Sequence, residues 1–327
     1  MSVTVRTGAR LHFGLLTAGS DSGRQFGGLG VMVEQPPCEV IVSAGDVDRV
    51  VSEVVWQRRV QTILECCREK LAPHSKVGLQ VELRSVPPAH CGFGSGTQVA
   101  LSVAAGICAA LGIDIPRASV LAEITGRGGR SAIGIHGFDE GGLLLEAGKL
   151  PGESIGCLVS RTEFPSDWRW ILLRPRQDAG VSGGDELAAF ARLPAMSREM
   201  TDRLCGLALR GIVPAAFEAR FTEFSEALWD YGHLVGEYFA PVQGGIFAHP
   251  LMRQMALLLR DRGEMGIAQT SWGPTLALVQ PSADAAADCV AWIRQDSVGA
   301  KCAVVTTQAL NRGAWIRHSE EDDSGTA

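Results

Sequence analysis

Several things are missing from this chain of 327 residues, and each absence narrows what it can be. No apolar run reaches the roughly 18 to 20 residues that a bilayer span needs. The opening Met1-Ser2-Val3-Thr4-Val5-Arg6 alternates like a strand and lacks the apolar centre of a secretory signal, so a cytoplasmic location is expected. No Cys-x-x-Cys pair occurs. The nine cysteines, at 38, 66, 67, 91, 108, 157, 205, 289 and 302, are odd in number and irregular in spacing, which argues against a disulfide framework and a zinc cluster alike. There is no basic stripe: Lys and Arg are dispersed and the net charge is −6, which speaks against a nucleic-acid surface. Internal repeats are absent, and no nucleophilic serine with a general-base triad can be found. What is left is an ordinary globular composition, 46 % hydrophobic, for which small-molecule substrates are the expected partners. A homodimer is left open.

Period-two alternation marks strands at Val3–Val5, Leu11–Leu15, Gly30–Val33, Glu39–Val42 and Val77–Leu83. Helical spacing runs through 53–72. An apolar helix of small residues is expected from about Thr97 to Leu111, ended by Gly112, and a second from Arg117 to Thr125. Gly141–Glu146 reads as a strand. After a plausible border at 148–165, Trp168–Leu173 opens a second half of helices (about 185–192, 197–209, 214–239, 250–262 and 283–296) and strands (near 274–279 and 302–307), an α+β order. The tail from Ser319 is polar and acidic, and is expected to fray.

The chemistry is concentrated in Val86-Pro-Pro-Ala-His-Cys-Gly-Phe-Gly-Ser-Gly-Thr-Gln98, which leads from a strand into a helix. Gly92, Gly94 and Gly96 omit side chains where backbone must turn and approach a ligand. The first amides of the helix are unpaired and lie at the positive end of its dipole, so a phosphate or diphosphate is the natural occupant. Ser95 and Thr97 add hydroxyls that can cap the helix or reach a phosphate-bound magnesium ion. A Walker loop would need Lys after Gly96, and a dinucleotide fingerprint would need a glycine at Thr97, so neither fits. A helix entry that binds nothing is the bland alternative, and Cys91 reads as a small residue in a crowded turn.

Pro88-xxx-Gly92-Phe-Gly-Ser-Gly-Thr97 resembles the second motif of the GHMP-kinase superfamily. Ala9-Arg-Leu-His-Phe-Gly14 resembles its first, and Ala268-Gln-Thr-Ser-Trp-Gly-Pro-Thr275 its third. The order is the superfamily's own and spans most of the chain. The resemblance implies an α+β GHMP-kinase fold: an N-terminal domain of the ribosomal-S5-domain-2-like type over 1–160 with the phosphate loop, a ferredoxin-like C-terminal domain over 161–318, and a flexible acidic tail at 319–327. Kinases of the mevalonate and galactose type carry a catalytic Asp before a Gly-Gly pair; counting back from Gly141-Gly142, that position is Gly134.

The phrases Arg10–Leu15, Arg24–Gly30, Gly92–Gln98, Gly126–Arg130, Pro241–Gly245 and Gln269–Pro274 together resemble one branch, the β-ribofuranosylaminobenzene 5'-phosphate synthases. That family joins 5-phosphoribosyl 1-pyrophosphate to 4-aminobenzoate or 4-hydroxybenzoate with loss of CO2 and pyrophosphate, early in tetrahydromethanopterin biosynthesis. The likeness implies Mg2+ as cofactor. It makes Arg10, His12 and Arg130 the candidate catalytic side chains, and Gly92, Gly94, Ser95, Gly96, Thr97, Gln98 and Arg127 the phosphate site. Ser95 and Thr97 are the metal candidates; Arg24, Gln25, Gln243, Ser271 and Trp272 would contact substrate. Residue by residue, blander readings stand beside these: a structural strand histidine for His12, a core ring for Trp272, a solvated turn for Arg127 and Arg130. An ATP-dependent small-molecule kinase is the alternative function, and a binding protein without catalysis is a third.

Overall fold

The two alternating runs near the start of the chain form one strand, β1 (Ser2–Gly14), in a computed structural model that describes residues 2–19, 23–176, 192–271 and 273–319. They merge because the register slips between Thr7 and Ala9 and again between His12 and Gly14. Such irregularities bend a strand and reverse which side chains face which side. Val3 and Val5 point toward the helical layer, whereas beyond the slip Ala9, Leu11 and Phe13 turn to the opposite face. Arg10 and His12 are thereby aimed at the helices. The runs at 30–33 and 39–42 likewise belong to one strand, β2 (Gly28–Gly45).

β2 pairs antiparallel with β1, with β4 (Gly78–Ser85) and, at its other end, with β5 (Leu143–Glu146). β3 (Arg49–Val51) lies parallel to β4, and β6 (Leu158–Thr162) pairs with β5. The outer edge of β1 is closed by β11 (Trp315–His318), with Val3 opposite His318. Four helices cover one face of this seven-stranded sheet: α1 (Val54–Leu71), α2 (Ser95–Ala110), α3 (Ala118–Ile124) and α4 (Ile133–Glu140). Val42, Leu64, Val99, Val103 and Ile107 are fully buried between the layers. Each such aliphatic side chain contributes roughly 1.5–3 kcal/mol of transfer free energy. α2 approaches closely because a side chain at Gly106 would run into Val42.

A second sheet has the order β10 (Cys302–Thr307), β7 (Arg169–Pro175), β9 (Leu276–Gln280), β8 (Ile267–Gln269), all antiparallel. One face packs on α8 (Pro250–Asp261) and α9 (Ala283–Gln295) through Ile171, Leu173, Met255, Leu259 and Ile293. The other face, with Trp170 and Leu172, meets α5 (Arg198–Leu207), α6 (Val213–Phe217) and α7 (Phe221–Gln243), together with Leu11, Phe13, Leu29 and Leu145 of the first sheet. Phe13 stacks on Trp170 with centroids 5.5 Å apart. One hydrophobic core therefore joins both halves of the chain, and the fold is α+β.

The continuous helix expected over 214–239 is divided. It breaks at Glu218–Arg220, where Ala219 takes a φ of 55°, and resumes as α7, which runs on to Gln243. The helix expected over 185–192 lies, but for its last residue, outside the described residues. Among the described residues no helix is long and apolar enough to cross a membrane.

Candidate active site

α2 begins at Ser95, two residues earlier than the apolar pattern indicates, because Gly94 adopts a left-handed conformation (φ 65°, ψ 20°) and serves as N-cap without offering a side chain. The Thr97 and Gln98 amides turn back to the Gly94 carbonyl at 3.0 and 3.2 Å. Among the described residues, no carbonyl or side chain accepts from the amides of Ser95 and Gly96. Those two donors lie at the mouth of a 16-residue helix, at the positive end of its dipole, where an anion would be stabilised.

The loop is held from two sides. The Arg10 amide donates to the Phe93 carbonyl at 2.9 Å, which ties the loop to β1. From the other side, Thr275 Oγ1 donates to the Cys91 carbonyl at 2.7 Å, and the turn at 270–275 packs so closely that a side chain at Gly92 or Gly273 would collide across the contact. The first and third glycine-rich phrases thus brace the second. Burial raises the pKa of the Cys91 thiol, which keeps it protonated and agrees with the small-residue reading.

The same face of the sheet carries His12, Gly28, Gly30 and Glu146, as the register dictates: His12 lies opposite Gly30 and Gly28 opposite Glu146. His12 is buried and shares a 2.7 Å hydrogen bond with Ser271 through Nδ1; the Ser271 amide also donates to the His12 carbonyl at 2.7 Å. Among the described residues its Nε2 has no partner, and it points over Gly28, where a Cβ would sit 2.6 Å away. Burial first, then the charges of Arg10 and Arg130, pull its pKa well below the usual 6.5, so the ring is neutral at pH 7. Across the gap the Glu146 carboxyl, fully buried, accepts from the Ala132 amide at 2.7 Å through Oε2, while among the described residues Oε1 has no partner. Desolvation raises its pKa to about 7, against the opposing pull of the Ala132 bond, Ser131 and Arg10.

Cations surround the mouth. The Arg10 guanidinium lies beside Gly94, where a Cβ would be 3.1 Å from Nε. Arg59, on α1, covers Gly96, where a Cβ would be 2.7 Å from its nearest terminal nitrogen. The pKa of Arg127 is pulled down to about 10 by burial and by the charge of Arg59.

The structure thus brings together Arg10, His12, the 92–97 loop, Arg127, Arg130 and Ser271. Gln98 departs from its expected phosphate role: fully buried, its Nε2 donates to the Gly134 carbonyl at 2.8 Å and its Oε1 accepts from Thr7 at 3.3 Å. The side chain faces inward because the first turn of α2 rotates position 98 toward the sheet. Arg24 is committed elsewhere, to Glu153 at 2.9 Å and the Gly148 carbonyl at 3.0 Å, and the Gln25 backbone pairs with Lys149. Gln243 donates to the Ile246 carbonyl and accepts from Gln269; with Ser271 they line a cavity of about 20 Å³. That volume suits one water rather than an aromatic ring. Trp272 lies outside the described residues. His136 and Asp139 serve the scaffold, through the Gly156 carbonyl and the Ala118 amide. Among the described residues no cluster of three or more His, Cys, Asp and Glu side chains is suited to a metal; Ser95 and Thr97 stand in the first turn of α2.

Two residues escaped the sequence reading. Arg59 sits among polar neighbours of an exposed helix face, and nothing local ties it to Gly96. Glu146 had a signal: an acid closing the run Leu-Leu-Leu in a buried strand.

The family profile described as "GHMP kinases N terminal domain" matches residues 58–141. The chain is 28% identical over 326 residues to the beta-ribofuranosylphenol 5'-phosphate synthase of Archaeoglobus fulgidus, covering 95% of this chain and 98% of that one. It is also 28% identical over 334 residues to the protein of the same name from Methanothermobacter thermautotrophicus, covering 97% and 99%. Among solved structures, homoserine kinase from Cytophaga hutchinsonii superimposes with a TM-score of 0.67 at 16% identity, over 97% of both chains. The last likeness establishes the fold alone.

Proposed function

The chain belongs to the GHMP-kinase superfamily, and from that premise we propose that it is a decarboxylating phosphoribosyl transferase. In this reading it joins 5-phosphoribosyl 1-pyrophosphate to 4-hydroxybenzoate or 4-aminobenzoate, early in tetrahydromethanopterin biosynthesis. The relatives' name specifies the phenol product, which favours 4-hydroxybenzoate as acceptor. The observation that carries the reading is the mouth of α2: two open amides flanked by Arg10 and Arg59, with glycine rather than a carboxylate at position 134. A Cβ there would lie 3.0 Å from Gln98 Nε2, so a side chain at this position would press on a buried hydrogen-bonded amide. This disfavours a kinase that orients a hydroxyl with that residue.

The reaction asks little of acid–base groups and much of electrostatics. The bond between the sugar C1 and the diphosphate oxygen breaks, and the electron pair leaves with the diphosphate. The ring carbon bearing the carboxylate bonds to C1; the carbon–carboxylate bond then breaks, its electrons restore aromaticity, and CO2 departs. The Ser95 and Gly96 amides and the guanidinium groups of Arg10 and Arg59 would stabilise the charge gathering on the leaving group. The hydroxyls of Ser95 and Thr97 would hold a magnesium ion, which would supply further charge neutralisation. Neutral His12 adds no repulsion toward the cationic sugar centre, and its hydrogen bond to Ser271 fixes the ring.

Purified protein given magnesium, the sugar diphosphate and either benzoate labelled in its carboxyl carbon should release labelled CO2 only when all components are present. Well-folded protein that releases none with both benzoates, or that forms ADP from ATP and a hydroxyl-bearing metabolite instead, overturns the proposal.

A further inference from the structure

Beside the mouth of α2, on the outer side of α1, lies a cavity of about 370 Å³ lined by Arg58, Arg59 and Arg127 with Thr62, Cys66 and Thr125. Three features set it apart. Among the described residues no carboxylate lines it and none of the three guanidinium groups makes an ion pair, although the protein as a whole carries a net charge of −6. Both threonine hydroxyls are spent on backbone carbonyls, Thr62 on Arg58 and Thr125 on Leu121, so the cavity's available donors are cationic. And Arg59, packed over the Trp56 ring at 5.7 Å, reaches from the cavity to the space above Gly96, at the positive end of α2. A cation at a helix N-terminus opposes the dipole. The arrangement costs stability unless an anion lies between them. The mutual repulsion of Arg59 and Arg127 has the same sense.

We propose that this arginine-lined cavity is the seat of the terminal phosphoryl group of a diphosphate ester whose inner phosphoryl rests on the Ser95 and Gly96 amides. The proposal rests on the diphosphate reading of the α2 mouth. Arg59 spans the two phosphoryl groups, and Arg58 and Arg127 close on the outer one, whose oxygens suit the planar forks of guanidinium. The ligand chemistry required is two adjacent phosphoryl groups, which a sugar diphosphate and a nucleotide both possess.

Calorimetric titration of the full chain separates the terminal group from the inner one. Inorganic pyrophosphate should bind the wild-type protein at least tenfold more tightly than orthophosphate. In the double variant Arg58→Gln, Arg127→Gln, with melting temperature as the control for folding, pyrophosphate affinity should fall at least tenfold and orthophosphate affinity by less than twofold. Equal losses for both anions, or no loss for pyrophosphate, overturn the proposal. In competition, displacement of pyrophosphate by 5-phosphoribosyl 1-pyrophosphate makes the sugar diphosphate the source, displacement by ATP alone makes it a nucleotide, and displacement by neither overturns the assignment. A protein that releases no CO2 yet shows the selective loss in the variant sinks the transferase reading and leaves the cavity's role standing.

Discussion

At the scale of single residues, Glu146 couples the site to pH. Its carboxyl has a pKa of about 7 in the fold, against 4.5 for the ordinary group, because burial outweighs the amide and arginine that favour its charge. Between these values the native protein retains a proton that the unfolded chain has released. Glu146 therefore supports stability fully below about pH 4.5, and that support is lost as the pH rises through 7, to a total of roughly 3 kcal/mol. Glu146→Gln keeps an acceptor for the Ala132 amide and cannot ionise. In urea unfolding it should match the wild type near pH 5 and exceed it at pH 8; parallel pH profiles for the two proteins would refute the assignment. His12 acts in the opposite window: with its folded pKa depressed, it costs stability as the pH falls below 6.5. Arg10, His12 and Ser271 were legible because each stands inside a phrase with a recognisable spacing. Arg59 was not, since its proximity to Gly96 is a product of how α1 packs on α2 and leaves no trace in local sequence.

At the scale of elements, the three glycines of the loop before α2 serve different ends, and substitution should separate them. Gly92 has a φ of 83°, and an added Cβ would strike Thr270 and press on the Gly273 backbone. Gly92→Ala should cost about 1–3 kcal/mol of folding stability through backbone strain alone, with the contact adding to it. The three atoms nearest a Cβ at Gly96 all belong to the far end of Arg59, which can swing aside. Gly96→Ala should leave the melting temperature within a few degrees and weaken pyrophosphate binding severalfold, as thermal denaturation and calorimetry would read; equal stability losses at the two positions would contradict this division. Most of the patterned helices were readable within one or two residues, but the break before α7 and its extension to Gln243 were not, and neither was α4. Its sequence, Ile-Gly-Ile-His-Gly-Phe-Asp-Glu, is poor in intrinsic helix formers and is held in place by packing. The reversal of facing in β1 was equally invisible, since alternation continues on both sides of the slip and only pairing with β2 reveals it.

At the scale of the molecule, the two sheets share one core, with Trp170 of the second sheet wedged among Phe13, Phe164 and Phe224. Truncation at its centre, Trp170→Ala, should cost about 3–5 kcal/mol and lower the stability of both halves together. Scanning calorimetry should register a single transition in the wild type; two separable transitions, of which the variant moves only one, would refute the shared core. The α+β order was legible from the succession of patterns, and the family from three spaced glycine phrases. The closure of β1 by β11 was not, because no local signal joins Val3 to His318.

That closure has a consequence during synthesis. Val3, Val5 and the rest of the outer edge of β1 leave the ribosome well before β11, the strand that covers them, has been translated. Until then the nascent protein carries an open strand edge, a template for pairing with other chains. Pairing of that edge must therefore await the translation of β11, and until then the edge stays open to other strands.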